Sequence, residues 1–419
     1  MTGTRKQLAG NFISLSVVQG LSILFPLIIF PYLLRVLGVE GFGIFTLIQT
    51  FIMYFDLLVS FGFGLTATRQ IASIQNDAVG TNRIITGVYI IKLVLFAASL
   101  LVFIIAAMFI PYARENLLLV LVASLYLLGN LLMPDWFFQG IQKMKAISFA
   151  AFISRVISLL LILLWVKEKN DITPAFLAIG IGNVVAGVTG LSILFKHHPF
   201  KWTFPGKIFL KQQFKESGYV FSSIILAPLY SSVNLFILQF FSNPLVVGYY
   251  AVAEKIFTAI SMFTAIINRT FYPHLSQLWD SSLTAYRKNV RKIVLGFAGA
   301  FFVIAIILFF GAENILRIVA GNKSTEDISQ MAILLRILSI GLLYSPFVSF
   351  FFQLMVLQDQ KKETIYNIVI TVMVNLVTAC IAAYYFGALG MAINLCFIML
   401  LIAFLNFKGF YKGLRRREA

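Results

Sequence analysis

Charge is scarce in this sequence, and acidic charge scarcest of all. Asp, Glu, Lys and Arg make up 12% of 419 residues, with 16 carboxylates against 33 bases. A soluble domain carries roughly 25% charged residues, so a water-exposed globular class is excluded. Cysteine is almost absent: Cys380 and Cys396 both fall in apolar runs, where small core residues are expected rather than a disulfide. The three histidines, His197, His198 and His274, lie in polar segments without ligand spacing, so no metal site is expected. No Walker motif or nucleotide-binding domain can be traced, and no cofactor is expected. The longest polar stretches, about 196–215 and 273–292, are basic and poor in carboxylates. A membrane glycosyltransferase or polymerase would need acidic or histidine clusters there, so the chain is not read as an enzyme.

What the chain has is apolar length. Sixty per cent of its residues are hydrophobic, in runs that repeatedly reach the roughly 20 residues of a spanning helix. The first run, from Asn11 to about Leu37, is too long for the core of a cleaved signal peptide. Twelve spans are predicted, near 11–36, 41–66, 84–110, 115–138, 147–166, 173–195, 216–241, 245–272, 293–312, 329–356, 365–386 and 388–407. Of the 33 bases, 22 fall on the side holding both termini and 6 on the other. That asymmetry places both termini in the cytoplasm. The net charge of +17 is then mostly loop charge facing an anionic leaflet, with "KGLRRREA" as a basic cytoplasmic tail. No nucleic-acid partner is implied.

The stretch "MPDWFFQGIQKMK" (133–145) closes the fourth span. Trp136, Phe137 and Phe138 read as an aromatic belt at the membrane border, Gly140 as a helix break, and Lys143 and Lys145 as positive-inside anchors. Asp135 is left unexplained by that reading.

The chain also reads as doubled. "VEGFGIFTLIQTF" laid on "PLVVGYYAVAEKIF" sets Gly43 on Gly248 and Phe45 on Tyr250, a shift of 205; "IQKMK" laid on "DQKKE" sets Lys143 on Lys361, a shift of 218. These favour a 6+6 parallel repeat, with halves 1–205 and 206–419. Pro26 and Pro31 in the first span and Pro228 in the seventh predict a bent first helix in each half.

"FPLIIFPYLLRVLGVEGFGIF", "FGFGLTATRQIA" and "PDWFFQGIQKMK" resemble the polysaccharide flippases of the O-antigen, or Wzx, type. These share a superfamily with the multidrug exporters called MATE and the lipid II flippases. The resemblance is sharpest in the first 150 residues. It implies two six-helix bundles around a central cavity in the bacterial inner membrane. It also implies an undecaprenyl-pyrophosphate-linked oligosaccharide as substrate, moved to the outer leaflet by alternating access for O-antigen synthesis, with other polysaccharide assembly proteins as partners.

Intramembrane charges point independently to an anionic substrate. A charge at the bilayer centre costs about 2.5–3.5 kcal/mol on insertion scales, so such residues usually face a cavity. At about 1.5 Å per residue, Lys92, Arg155 and Arg336 lie roughly 12 Å inside their nearest span ends, and Lys255 about 15 Å; Arg269 is close enough to an end to snorkel. Against these stand Asp56 and Glu254. Each either pairs with a neighbouring base or carries a proton through a transport cycle. The basic excess suits a pyrophosphate. It argues against the alternative, an ion-coupled multidrug exporter of related fold, whose cavity should be acidic. Moving a charge of about −2 outward gains roughly 4–5 kcal/mol per 100 mV. Gln19, Gln49, Ser223, Tyr230, Asn234, Asn375 and Asn394 are candidate glycan-lining groups, each equally explained by interhelical hydrogen bonds.

Overall fold

A computed structural model describes residues 2–74, 77–109, 114, 116–229, 232–321 and 323–418. These residues form helices joined by turns, with no strand among them. The helices are α1 (Thr2–Ser60), α2 (Phe63–Ser73), α3 (Ala78–Ala107), α4 (Leu117–Leu132), α5 (Asp135–Gly140), α6 (Met144–Trp165), α7 (Ile172–His197), α8 (Lys207–Leu229), α9 (Val233–Phe241), α10 (Pro244–Ser281), α11 (Leu283–Ala320), α12 (Thr325–Gly341), α13 (Ser345–Leu357) and α14 (Lys361–Glu418). Among the described residues, nine helical segments are long and apolar enough to cross a membrane. Two of them, Phe25–Ser73 and Lys361–Arg417, hold 49 and 57 residues. At 1.5 Å per residue each is more than twice the roughly 30 Å hydrocarbon thickness. Both are interrupted by a glycine with left-handed φ, Gly38 (+78°) and Gly387 (+55°), where a side chain would be strained.

The chain divides into two compact units, Met1–Leu37 with Leu47–Ile225, and Gly38–Thr46 with Leu226–Ala419. In the first, α4 packs on α7 through glycines: a Cβ on Gly129 would lie 2.6 Å from the Asn183 carbonyl oxygen, and one on Gly187 2.6 Å from that of Gly129. In the second, Gly43 meets Gly248. A Cβ on Gly43 would lie 2.7 Å from the Gly248 nitrogen, and one on Gly248 would collide with the Val39 carbonyl oxygen. The two glycines aligned as repeat equivalents therefore touch each other.

The aromatic-belt reading of 136–138 is corrected by the structure. Trp136, Phe137 and Phe138 are 1%, 2% and 0% exposed and belong to a core with Phe63, Ala67, Ile71, Val88 and Leu194. The short helix α5 tucks them beneath α2, where Thr68 Oγ1 donates to the Trp136 carbonyl (3.1 Å). Gly140 is there for close approach, since a Cβ would lie 2.6 Å from Ile71 Cγ2. The left-handed turn residue is instead Gln142 (φ +58°), and Asp359 (φ +57°) repeats it 217 positions on. Lys143 N donates to Phe138 O (2.9 Å) as Gln360 N does to Met355 O (3.0 Å), a six-residue closure typical of helix ends. The recurrence sets Lys143 on Gln360, one residue off the alignment made from sequence.

Both cysteines are free; Cys396 Sγ donates to Ile337 O (3.2 Å), and Cys380 is exposed. The basic tail folds back on its own unit. Arg417 stacks over Trp279 at 4.3 Å, and Lys412 and Arg416 reach Glu363 at 3.4 and 3.2 Å.

Candidate functional site

A proline builds the site. Pro134 has no N–H, so the carbonyl of Asn130, four residues earlier, loses its regular helical donor. Pro134 also ends α4, whose last carbonyls need partners from elsewhere. They come from α3. Lys92 Nζ donates to Asn130 O at 2.6 Å and to Met133 O at 3.4 Å, and Tyr89 OH donates to Leu132 O at 3.0 Å. Tyr89 and Lys92 are three residues apart and share a helix face. An ammonium at a helix C-terminus also meets the negative end of the helix dipole. Lys92 is 2% exposed.

The Asn130 side chain extends the network, its Nδ2 donating to Asp56 Oδ1 (2.5 Å) and Ser60 Oγ (2.9 Å). Asn130 thus holds a base through its main chain and an acid through its side chain. The network opens on a cavity of about 340 Å³ lined by Asp56, Lys92, Tyr126, Asn130, Asp135, Trp136 and Asn183 among others, all in the first unit. Trp136 Nε1 is buried and makes no hydrogen bond among the described residues.

Arg155, half-buried on α6, lies 4.9 Å over the Phe25 ring in the same unit. The other predicted bases belong to the second unit. Lys255 and its neighbour Glu254 are half-buried on α10. Arg336 is ion-paired: Nη2 reaches Glu313 Oε1 at 2.8 Å and Nε donates to Phe309 O at 3.3 Å. Asn234, Asn375 and Asn394 form a buried amide chain, Asn394 donating to Asn375 (2.8 Å) and Asn375 to Asn234 (2.9 Å). Gln49 is exposed. Tyr230 lies outside the described residues, as do the side chains of Gln19, Ser223 and Arg269. Sequence reasoning missed Tyr126, Asn130 and Asn183. Asn130 carried a signal, as a polar residue in an apolar run four positions before a proline; nothing in the sequence paired Arg155 with Phe25.

The family profile described as "Polysaccharide biosynthesis protein" matches residues 8–279, well over half the chain. The chain belongs to this family. It is 29% identical over 411 residues to the "Putative O-antigen transporter" of Shigella dysenteriae, covering 95% of this chain and 98% of that one. To the protein of the same name from Escherichia coli (strain K12) it is 29% identical over 404 residues, 94% of each. In fold this family member matches an inward-facing multidrug resistance MATE family transporter of the MOP superfamily with a TM-score of 0.76 at 13% identity (97% and 98% covered). It matches the lipid II flippase MurJ, in an inward closed conformation, with a TM-score of 0.70 at 16% identity (95% and 89% covered). Its apolar spanning helices, its family and these bacterial relatives together make this a bacterial membrane protein of polysaccharide biosynthesis.

Proposed function

We propose that the protein is a flippase that moves an undecaprenyl-pyrophosphate-linked oligosaccharide from the cytoplasmic to the outer leaflet of the inner membrane by alternating access. It acts as a transporter and not as an enzyme. The observation that carries the reading is the membrane-buried network of Asp56, Asn130 and Lys92, opening on a cavity in a chain of this family. Charged and amide groups at that depth face a polar path. Within the first unit, Lys92 and Arg155 supply basic charge suited to a pyrophosphate; Lys255 and Arg336 are further candidate bases within the second, where Arg336 is paired with Glu313. Gln49, Tyr230, Asn234 and Asn375 remain candidate contacts for the glycan, and Asp56 and Glu254 candidate coupling acids.

Counting each side of Gly38 and Gly387 as a crossing, and α8 with α9 as another, gives twelve spans. That even number fits two six-helix halves, 1–205 and 206–419, with both termini cytoplasmic, the side favoured by basic charge. A membrane-impermeant thiol reagent applied from outside should label a cysteine at Glu326 and spare one at Lys211. The reverse pattern would overturn the orientation.

Function is tested by complementation in a strain lacking its own O-antigen transporter. Restoration of long surface polysaccharide, lost in a charge-reversed Arg155→Glu variant of equal abundance, is the expected result. Unrestored polysaccharide with new drug resistance would favour the exporter of related fold.

A further inference from the structure

The linker between α7 and α8 is hydrogen-bonded to the start of α3. His198 Nε2 and Lys201 N both donate to Asn82 Oδ1, at 3.0 and 3.2 Å, and Thr203 N donates to Thr86 Oγ1 at 3.3 Å. Arg83 donates from Nε and Nη2 to Pro205 O at 3.2 and 2.9 Å, with its guanidinium 4.9 Å over the Phe209 ring. These anchors all lie near the start of α3. The large side chains are left facing away: Trp202, Phe204 and Ile208 are 65%, 62% and 86% exposed. Lys207, Lys211 and Lys215 follow one turn apart, so they form a stripe on one face of α8, and all three are exposed. Between 198 and 219 there is a single carboxylate against four lysines. That carboxylate, Glu216, is engaged by Gln212 (2.9 Å) and Gln70 (3.5 Å).

We infer that residues 201–215 form a binding surface for anionic phospholipid headgroups. Three physical constraints converge on that occupant. Trp, Phe and Ile side chains this exposed within seven residues are not a surface that water alone stabilises. The irregular backbone of 199–206 cannot lie in hydrocarbon, where unpaired amides and carbonyls find no donors or acceptors. The level between the two is the headgroup region, where aromatic rings reside and lysine ammoniums meet lipid phosphates. The order in the chain fits: the apolar side chains come from the linker and first turn, and the basic stripe continues up the helix. The pinning by Asn82, Arg83 and Thr86 holds this surface in place before lipid arrives, which lowers the ordering cost of binding. The inference rests on the proposed cytoplasmic placement of 196–215 only for which leaflet is read.

The test uses the full chain in nanodiscs with bromine carried on either phosphatidylglycerol or phosphatidylcholine at equal mole fractions. Fluorescence of the Trp202→Phe variant is subtracted from that of the parent to isolate Trp202 among the four tryptophans. Trp202 should be quenched strongly, and more by brominated phosphatidylglycerol. The headgroup preference should fall about fivefold per lysine at low ionic strength in Lys207→Gln, Lys211→Gln and Lys215→Gln, with the basal quenching kept. No quenching means the patch faces water and overturns the surface outright. Quenching without headgroup preference, or a preference unchanged in the triple variant, overturns the role of the lysines. Nanodiscs expose both leaflets, so a wrong orientation would leave this result untouched and would show only in the thiol labelling at Lys211 and Glu326.

Discussion

The ammonium of Lys92 sits 2.6 Å from the carbonyl oxygen of Asn130, the carbonyl that Pro134 leaves without its helical donor. A buried ammonium is therefore tied to a helix end where the proline replaces the regular bond by a shorter-range one from Met133 N at 3.2 Å. Lys92→Met should cost about 1.5–3 kcal/mol, the loss of a charged donor to a carbonyl that keeps only the 3.2 Å bond from Met133 N. Pro134→Ala restores an N–H at the right position and should reduce that loss. Thermal unfolding of both single variants and the double variant in detergent reads the coupling, expected at about 0.5–3 kcal/mol. Additive losses would mean that Lys92 is held there by something other than the proline break.

Trp136 separates a core residue from a membrane-border one. Trp136→Ala should lose about 3–5 kcal/mol, as large-to-small core changes do. Trp136→Phe keeps most of the packing and removes an indole N–H that has no partner among the described residues, so its cost should be much smaller. Equal, small losses in both variants would return this ring to the lipid face.

Gly43 and Gly248 should tolerate nothing larger. A Cβ at either position collides with backbone rather than with a flexible side chain, so relief requires the helices to part. Gly248→Ala should destabilise by about 1–3 kcal/mol, and Gly43→Leu should sharply lower membrane abundance. Gly299, around which a Cβ meets open space, serves as the control, with Gly299→Ala expected to be neutral or to stabilise by up to about 1 kcal/mol. Unchanged stability in Gly248→Ala would rule out the close crossing.

Arg155 tests sign against shape. Its guanidinium lies over Phe25, an arrangement worth about 0.5–2 kcal/mol, which lysine retains in part. Arg155→Lys should keep much of the transport, while Arg155→Gln and Arg155→Glu should lose it at normal abundance. Full polysaccharide export by Arg155→Gln would remove the residue from the site. Loss of protein in all three variants would assign it to packing.

His198 gives the linker a pH dependence. Burial pushes its imidazole below the ordinary value of 6.5, and its Nε2–H is committed to Asn82. The unfolded chain therefore takes up a proton that the folded linker refuses. Linker stability is full above about pH 6.5 and falls as pH drops through and below that value. Amide exchange across 198–205, corrected for intrinsic rates, should quicken between pH 7.5 and 5.5, and His198→Gln should flatten the response. A flat profile in the parent chain would remove the histidine from this role.

The sequence by itself determined the class: apolar runs of spanning length, a lopsided distribution of lysine and arginine, and motifs sufficient for the family. Those signals are local, because hydropathy and charge act on each segment separately against the bilayer. It also determined that Lys92 and Asp56 needed an explanation, since a charge in hydrocarbon demands a partner wherever the chain goes. Only the tertiary structure decided who those partners are. Asp56, Lys92 and Asn130 come from three helices, and hydrogen-bond geometry between helices leaves no trace in residue spacing. The same limit explains the aromatic triplet. Trp136, Phe137 and Phe138 beside two lysines have the composition of a membrane border, and they became core because α5 turns beneath α2, where Gly140 allows the backbones to close. The repeat was half legible: laying one stretch on the other suggested Gly43 and Gly248 as equivalents, but that the two meet depends on the path of the chain at Gly38, where a left-handed glycine redirects the helix.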